Sequence, residues 1–140
     1  MDGEYRVLSH TADTGIEATA DSFETVVATA AIGMFELMYD LATMTPTVEI
    51  VASVALADDL TETMVDALSE LLYLAEAGDL LCTEVAVSRS DETELHLVAA
   101  AASSAGVELR GAPVKAVTYH DVVVAEVEPG RWTARVYFDT

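Results

Sequence analysis

Ile16-Glu17-Ala18-Thr19-Ala20-Asp21-Ser22-Phe23-Glu24-Thr25-Val26-Val27 holds two hydrophobic periods in one short run. Ile16, Ala18 and Ala20 alternate with Glu17, Thr19 and Asp21, the period of a half-buried strand. Asp21 or Ser22 is then placed to cap a helix, and Asp21 with Glu24 has capping-box spacing. From Phe23 the apolar residues recur every three or four positions through Val26, Val27, Ala30, Met34, Phe35, Met38 and Leu41, one helical stripe. A strand that feeds straight into a one-sided helix is the unit from which the rest of the chain is read.

Downstream, Thr45-Pro46-Thr47 breaks that helix, and Val48, Ile50, Ala52 and Val54 alternate as a further strand. Asp58 or Asp59 caps a second helix whose stripe is Leu60, Met64, Leu68, Leu71, Leu72 and Ala75, and Gly78 is placed to end it. Each helix is expected to cover a sheet or the other helix with its single apolar face. From Leu80 the period changes to two. Strands are predicted over 81–89 and 95–99, with Ser90-Asp91-Glu92 as their turn. The run Ala99-Ala100-Ala101-Ala102 reads as helix by composition and as strand by its flanks. Residues 106–113 read as loop, and 114–120 and 122–127 as extended segments. In Glu128-Pro129-Gly130-Arg131 proline and glycine sit where a type II turn wants them, so residues 132–139 fold back as a hairpin. This order predicts an α+β fold: a single compact domain over residues 1–140, mostly antiparallel sheet packed with two amphipathic helices.

Composition narrows the function classes. Of the 140 residues 52% are hydrophobic, enough for a real core, and no apolar run approaches a membrane span. Twenty-five acids against six bases give a formal charge of −19. Such a surface repels phosphate backbones, so no stable direct nucleic-acid binding is expected. It suits cations or a basic protein partner, or simply keeps the chain soluble in a salt-rich cell. The acidic start runs directly into a strand pattern, unlike a signal peptide, and the single Cys82 has no internal disulfide partner. A cytoplasmic setting is expected, with Cys82 as a small buried hydrophobe. The oligomeric state is left open.

Upstream of the opening stretch, Ser9-His10-Thr11-Ala12-Asp13-Thr14-Gly15 packs an imidazole, hydroxyls, a carboxylate and a glycine into one turn. Asp139, at the end of the last predicted strand, offers a second carboxylate, followed by the terminal carboxylate of Thr140. Oxygen donors of this kind suit a hard cation. The plainer reading makes Asp13 the cap of its own turn and Asp139 a solvated strand end. Lys115-Ala116-Val117-Thr118-Tyr119-His120 is the third dense stretch. Lys115, the only lysine of the chain, is either a snorkelling side chain or an anchor for an anionic ligand or a partner carboxylate. The histidines lack zinc spacing, and no phosphate-binding or nucleophile motif is present.

Together these stretches resemble the archease family. The resemblance rests on Ser9–Gly15, on Leu71-Leu72-Tyr73 with Glu76, on Lys115 to His120 and on the strand ending in Asp139, in the family's order and across essentially the whole chain. It implies a small α+β protein that is not itself an enzyme but activates an RtcB-type RNA ligase. That ligase joins 3′-phosphate or 2′,3′-cyclic phosphate ends to 5′-hydroxyl ends in tRNA splicing and RNA repair, using GTP, manganese and a guanylylated histidine. The resemblance also implies a divalent cation, calcium with magnesium or manganese as alternatives, held by Asp13, Asp139 and Thr140. It implies a functional contact at Lys115, with His10 shaping the turn and His120 in support. Three rival readings stand beside it. One is a chaperone-like modulator of RNA-processing or RNA-modifying enzymes. Another is a metal-dependent hydrolase using Asp13 and His10. The third is a structural domain whose acids only solubilise it.

Overall fold

The computed structural model of this chain describes residues 3–9 and 14–140. The strand of the opening stretch is β2 (Thr14–Ala20), paired on one side with β1 (Glu4–Ser9). It leads into α1 (Phe23–Met38), whose N-cap is Ser22: its side chain accepts the Thr25 N–H, 3.1 Å. The expected partner in a capping box, Glu24, instead reaches across to pair with Arg89. A short 3₁₀ turn over Leu41–Thr43 is followed by β3 (Val48–Ala55) and α2 (Leu60–Ala77). Asp59 caps α2 by accepting from the Thr61 N–H at 2.9 Å. The C-cap of α2 is Gly78, with an ordinary negative φ of −99°, and the left-handed step falls on Asp79, φ 53°. The chain continues as β4 (Leu80–Arg89), β5 (Glu94–Ser103), β6 (Ala116–Val117), β7 (Val123–Glu128) and β8 (Arg131–Asp139).

Two antiparallel sheets result. One runs β1-β2-β8-β6, with β7 also on β8; the other runs β3-β5-β4. Both follow one plan. A strand that leads into a helix (β2 into α1, β3 into α2) pairs with the second strand of a later hairpin (β8 and β5), and the first strand of that hairpin lies outside it. The hairpin turn at Pro129-Gly130 places Gly130 at φ 75°, the left-handed position a type II turn requires. The alanine run settles as strand. Ala99 and Ala101 are buried, and β5 is held between β3 and β4, where backbone pairing on both sides outweighs the helix preference of alanine.

The helices are not one-sided. Helix α1 packs on β1, β2 and β8 of the first sheet and on β4 of the second, while α2 packs on β3, β4 and β5 and on β6 and β7. The buried set of α1 therefore adds Ala31 and Gly33 to the expected stripe. A Cβ on Gly33 would lie 2.9 Å from Ile16 Cδ1 and 3.0 Å from Tyr5 Cδ1, so the first sheet comes down almost onto the helix backbone there. Phe23, Phe35, Phe138, Met34, Met64 and Leu68 fill the centre, each large side chain contributing roughly 1.5–3 kcal/mol by leaving water. Cys82 is fully buried among them, and desolvation pushes its thiol up to about 12, the inert hydrophobe expected.

On the outer face of the first sheet Arg6, Glu17 and Arg135 stand in register across β1, β2 and β8. Glu17 accepts from Arg6 Nε and from Arg135 Nη2, both at 2.8 Å. These two guanidinium hydrogen bonds hold its carboxyl below the usual range, against the smaller effect of desolvation. The sign follows: the ion triplet stabilises the fold fully above the normal carboxylate range and fades as pH falls through the lowered Glu17 pKa. Urea denaturation of Glu17→Gln beside the wild type is therefore expected to show a stability gap at neutral pH that closes in acid. Gly15 sits beneath the ring of Tyr137, where a Cβ would lie 2.5 Å from Cδ1 and 2.9 Å from the Val136 carbonyl. Thermal melting of Gly15→Ala is expected to report a loss of about 1–3 kcal/mol from this overpacking.

Candidate functional site

Strand β8 gathers the stretches singled out above. Its end pairs with β2 so that Thr14 lies opposite Phe138, the residue before Asp139. On its other side Ala116 lies opposite Asp139, and the Lys115 N–H donates to the Asp139 carbonyl at 2.8 Å. Asp139, Thr140 and Lys115 are exposed. His10 and Asp13 lie outside the described residues. What is described is the frame: Ser9 pairs with Thr14, and Thr14 lies opposite Phe138 of the strand that ends in Asp139.

The six bases of the chain separate into two kinds. Arg6 and Arg135 pair with Glu17, Arg89 with Glu24, Arg110 with Glu36 and Arg131 with Glu128. Lys115 makes no ion pair and no side-chain hydrogen bond among the described residues. In a chain of formal charge −19 an exposed base without a carboxylate is notable, because unoccupied acids are plentiful. The Asp139 side chain is likewise unengaged among the described residues. No group of three or more histidine, cysteine, aspartate or glutamate side chains gathers in metal-binding fashion among those residues. His120 extends from the loop after β6, with Nε2 3.1 Å from the carboxylate of its neighbour Asp121, both well exposed.

Of the outer stripe of α2, sequence reasoning singled out only Tyr73 and Glu76, through the family resemblance. Because both sheets cover much of the helix, its exposed residues are Glu62, Asp66, Tyr73, Glu76 and the terminal Ala77, and Ser69 and Glu70 between them are half-exposed. The signal was present in their helical spacing, opposite the stripe that predicts the core. Lys115, Ala116 and Val117 flank this stripe and enclose with Ser69, Leu72, Tyr73 and Glu76 a groove of about 220 Å³. Further along, the Tyr119 hydroxyl donates to Asp66 Oδ1 at 3.2 Å. Partial desolvation, then the charge of Asp66 and this hydrogen bond, raise the Tyr119 phenol above its ordinary value.

Sequence and structure comparisons identify the family and the fold. The Archease protein family profile matches residues 5–140. The chain belongs to the archease family. An archease of Methanosarcina barkeri is 32% identical over 97% of this chain and 95% of its own length. One of Methanopyrus kandleri is 32% identical over 94% and 96%. The solution structure of a Methanobacterium thermoautotrophicum protein superposes with a TM-score of 0.76 at 29% identity, covering 97% of this chain and 98% of that one. A Thermotoga maritima crystal structure, described as an archease and possible chaperone, shares the fold with a TM-score of 0.64 at 19% identity, covering 96% of both chains. The α+β class read from the sequence is thus the family's fold. No helix among the described residues is long and apolar enough to cross a membrane.

The contact between Tyr119 and α2 is open to titration. Removing the Asp66 charge by Asp66→Asn is expected to bring the Tyr119 phenol back toward its ordinary value, read by following its ring resonances through alkaline pH. An unchanged Tyr119 curve would leave burial, with the charge of Glu62, as the cause.

Proposed function

We propose that this chain activates an RtcB-type RNA ligase, promoting guanylylation of the ligase and its repeated turnover in tRNA splicing and RNA repair. The observation that supports it best is the backbone hydrogen bond by which Lys115, just before β6, is tied to Asp139 at the end of β8. It brings close in the backbone an exposed base and an exposed acid, neither with an ion pair among the described residues, at the edge of a strongly acidic protein. An acidic surface is attracted to the basic face that an RNA-binding ligase presents and is repelled by RNA itself, as an activator that must give way to RNA requires.

Asp13, Asp139 and an oxygen of Thr140 are the residues that would hold a divalent cation, calcium first among hard cations. The Asp139 carboxylate, exposed and without a side-chain partner among the described residues, fits that donor chemistry. Bound there, the cation would supply positive charge toward phosphate oxygens. Lys115 supplies a compact charge on a flexible stem and engages a phosphate or carboxylate of the partner. Asp139 holds the edge, while its main chain keeps the Lys115 backbone in place. The chain performs no bond-making step in this reading; the chemistry belongs to the ligase. The cytoplasm is the proposed setting.

The test is a GTP-dependent guanylylation assay with the ligase of the same organism. Wild type is expected to accelerate it, while Asp13→Ala, Asp139→Ala and Lys115→Ala each lower the acceleration about tenfold or more, the scale on which a charged ligand tunes a cation site. No acceleration by wild type would end the activator reading. Full stimulation by both aspartate variants would end the role of the cation edge alone. A chaperone-like role, as in the description of the Thermotoga relative, predicts instead suppression of aggregation that survives Asp139→Ala.

A further inference from the structure

Strand β3 has one unused side. It pairs with β5 only, and Leu56 N–H donates to the Thr93 carbonyl at 2.9 Å, which fixes the phase of the ladder. In an antiparallel pair the hydrogen-bonded positions alternate. Residues 50, 52 and 54 therefore turn their backbone groups to β5, and Glu49, Val51, Ser53 and Ala55 turn theirs away from it. Among the described residues no hydrogen bond reaches the amides of Val51, Ser53 or Ala55, and the four side chains are exposed.

The other sheet edges carry the usual defences against strand addition: a bulge, charges or, in the two-residue β6, shortness. Strand β4 has a register shift between Cys82 and Glu84, and β7 one between Glu126 and Glu128. Strand β1 carries Glu4 and Arg6. Strand β3 runs for eight residues in unbroken register, with Glu49 as its one charge, no proline, and Val51 57% exposed. Beside it, Val54 and Ala55 form with Asp66, Ser69 and Glu70 of α2 a groove of about 380 Å³. A strand edge facing a helix across a groove is the geometry by which an extended peptide is taken up as an added strand.

We propose that β3 is a docking edge for an extended, lysine- or arginine-bearing segment of a partner protein, which adds as a strand and lays its basic side chains against Asp66 and Glu70. The charge selects this occupant. Two copies of a chain of charge −19 would bring their own acidic grooves together, whereas a basic strand neutralises one. Backbone pairing supplies the direction and the two carboxylates supply the preference. The proposal is independent of the ligase reading and of the Asp139 edge.

A synthetic peptide of alternating lysine and valine, about seven residues long to match a typical strand, tests it by calorimetry and amide hydrogen exchange. Saturable binding is expected, with slowed exchange at Val51, Ser53 and Ala55. The same peptide N-methylated on the amides that would face β3 keeps its charge but cannot pair, and is expected to bind about tenfold more weakly as the strand hydrogen bonds are lost. Ser53→Pro removes one outward N–H at an edge position where proline is tolerated, and is expected to weaken binding without lowering the melting temperature appreciably. If that variant does not fold, the N-methylated peptide on wild type carries the same comparison. Asp66→Asn with Glu70→Gln is expected to weaken binding at low salt. Equal binding of both peptides, no protection at the three amides, or protection that appears without peptide as the chain dimerises would overturn the proposal.

Discussion

The pairing of β2 with β8 is the constraint on which the remaining architecture depends. Thr14 to Ala20 lies against Trp132 to Phe138, joining one of the earliest strands of the chain to the last. Everything between them must leave the sheet and return. Helix α1 goes out from β2, the second sheet forms beyond it, and the β7/β8 hairpin comes back. The same pairing carries Asp139 to the end of β2 that begins at Thr14, and the backbone of Lys115 is bonded to it there. Tyr137 lying over Gly15 fixes this contact at close range, so the relation between the two ends tolerates little slippage.

Covering the helices from two sides has a second effect. A helix wedged between sheets spends most of its circumference on packing, and what remains outside becomes a narrow, continuous line. On α2 that line is acidic and aromatic, and it runs between Lys115 on one side and the edge of β3 on the other. The site region is therefore less a cavity than a ridge with a groove along each flank. This form suits contact with another macromolecule better than enclosure of a small substrate.

Much of the fold was legible because its signals are local. The two periods around Ser22, the Pro129-Gly130 turn and the caps at Ser22 and Asp59 each depend on a few neighbouring residues, and each lies where those residues imply. What was not legible depends on distant partners. Ala31 and Gly33 carry too little hydrophobic weight to advertise a wider buried face, yet the missing side chain of Gly33 is what lets the first sheet approach α1. The alanine run became strand only because β3 and β4 flank it. For the site, the juxtaposition of Lys115 with Asp139 follows from strand pairing that no local pattern encodes. The significance of Lys115 emerged from where the arginines went: all five found carboxylates. The residues most prominent in the sequence, His10 and Asp13, lie outside the described residues and stay at the level of expectation.

The position of the only lysine has one more consequence. A protease specific for lysine has a single target, the bond after Lys115, and cutting it divides the chain between the sheets' contributions unevenly. The second sheet stays whole in the larger fragment, while the first is left with β1 and β2 on one piece and β6, β7 and β8 on the other. Since β8 sits between strands of both pieces, the β2–β8 ladder would still join the two halves after the cut.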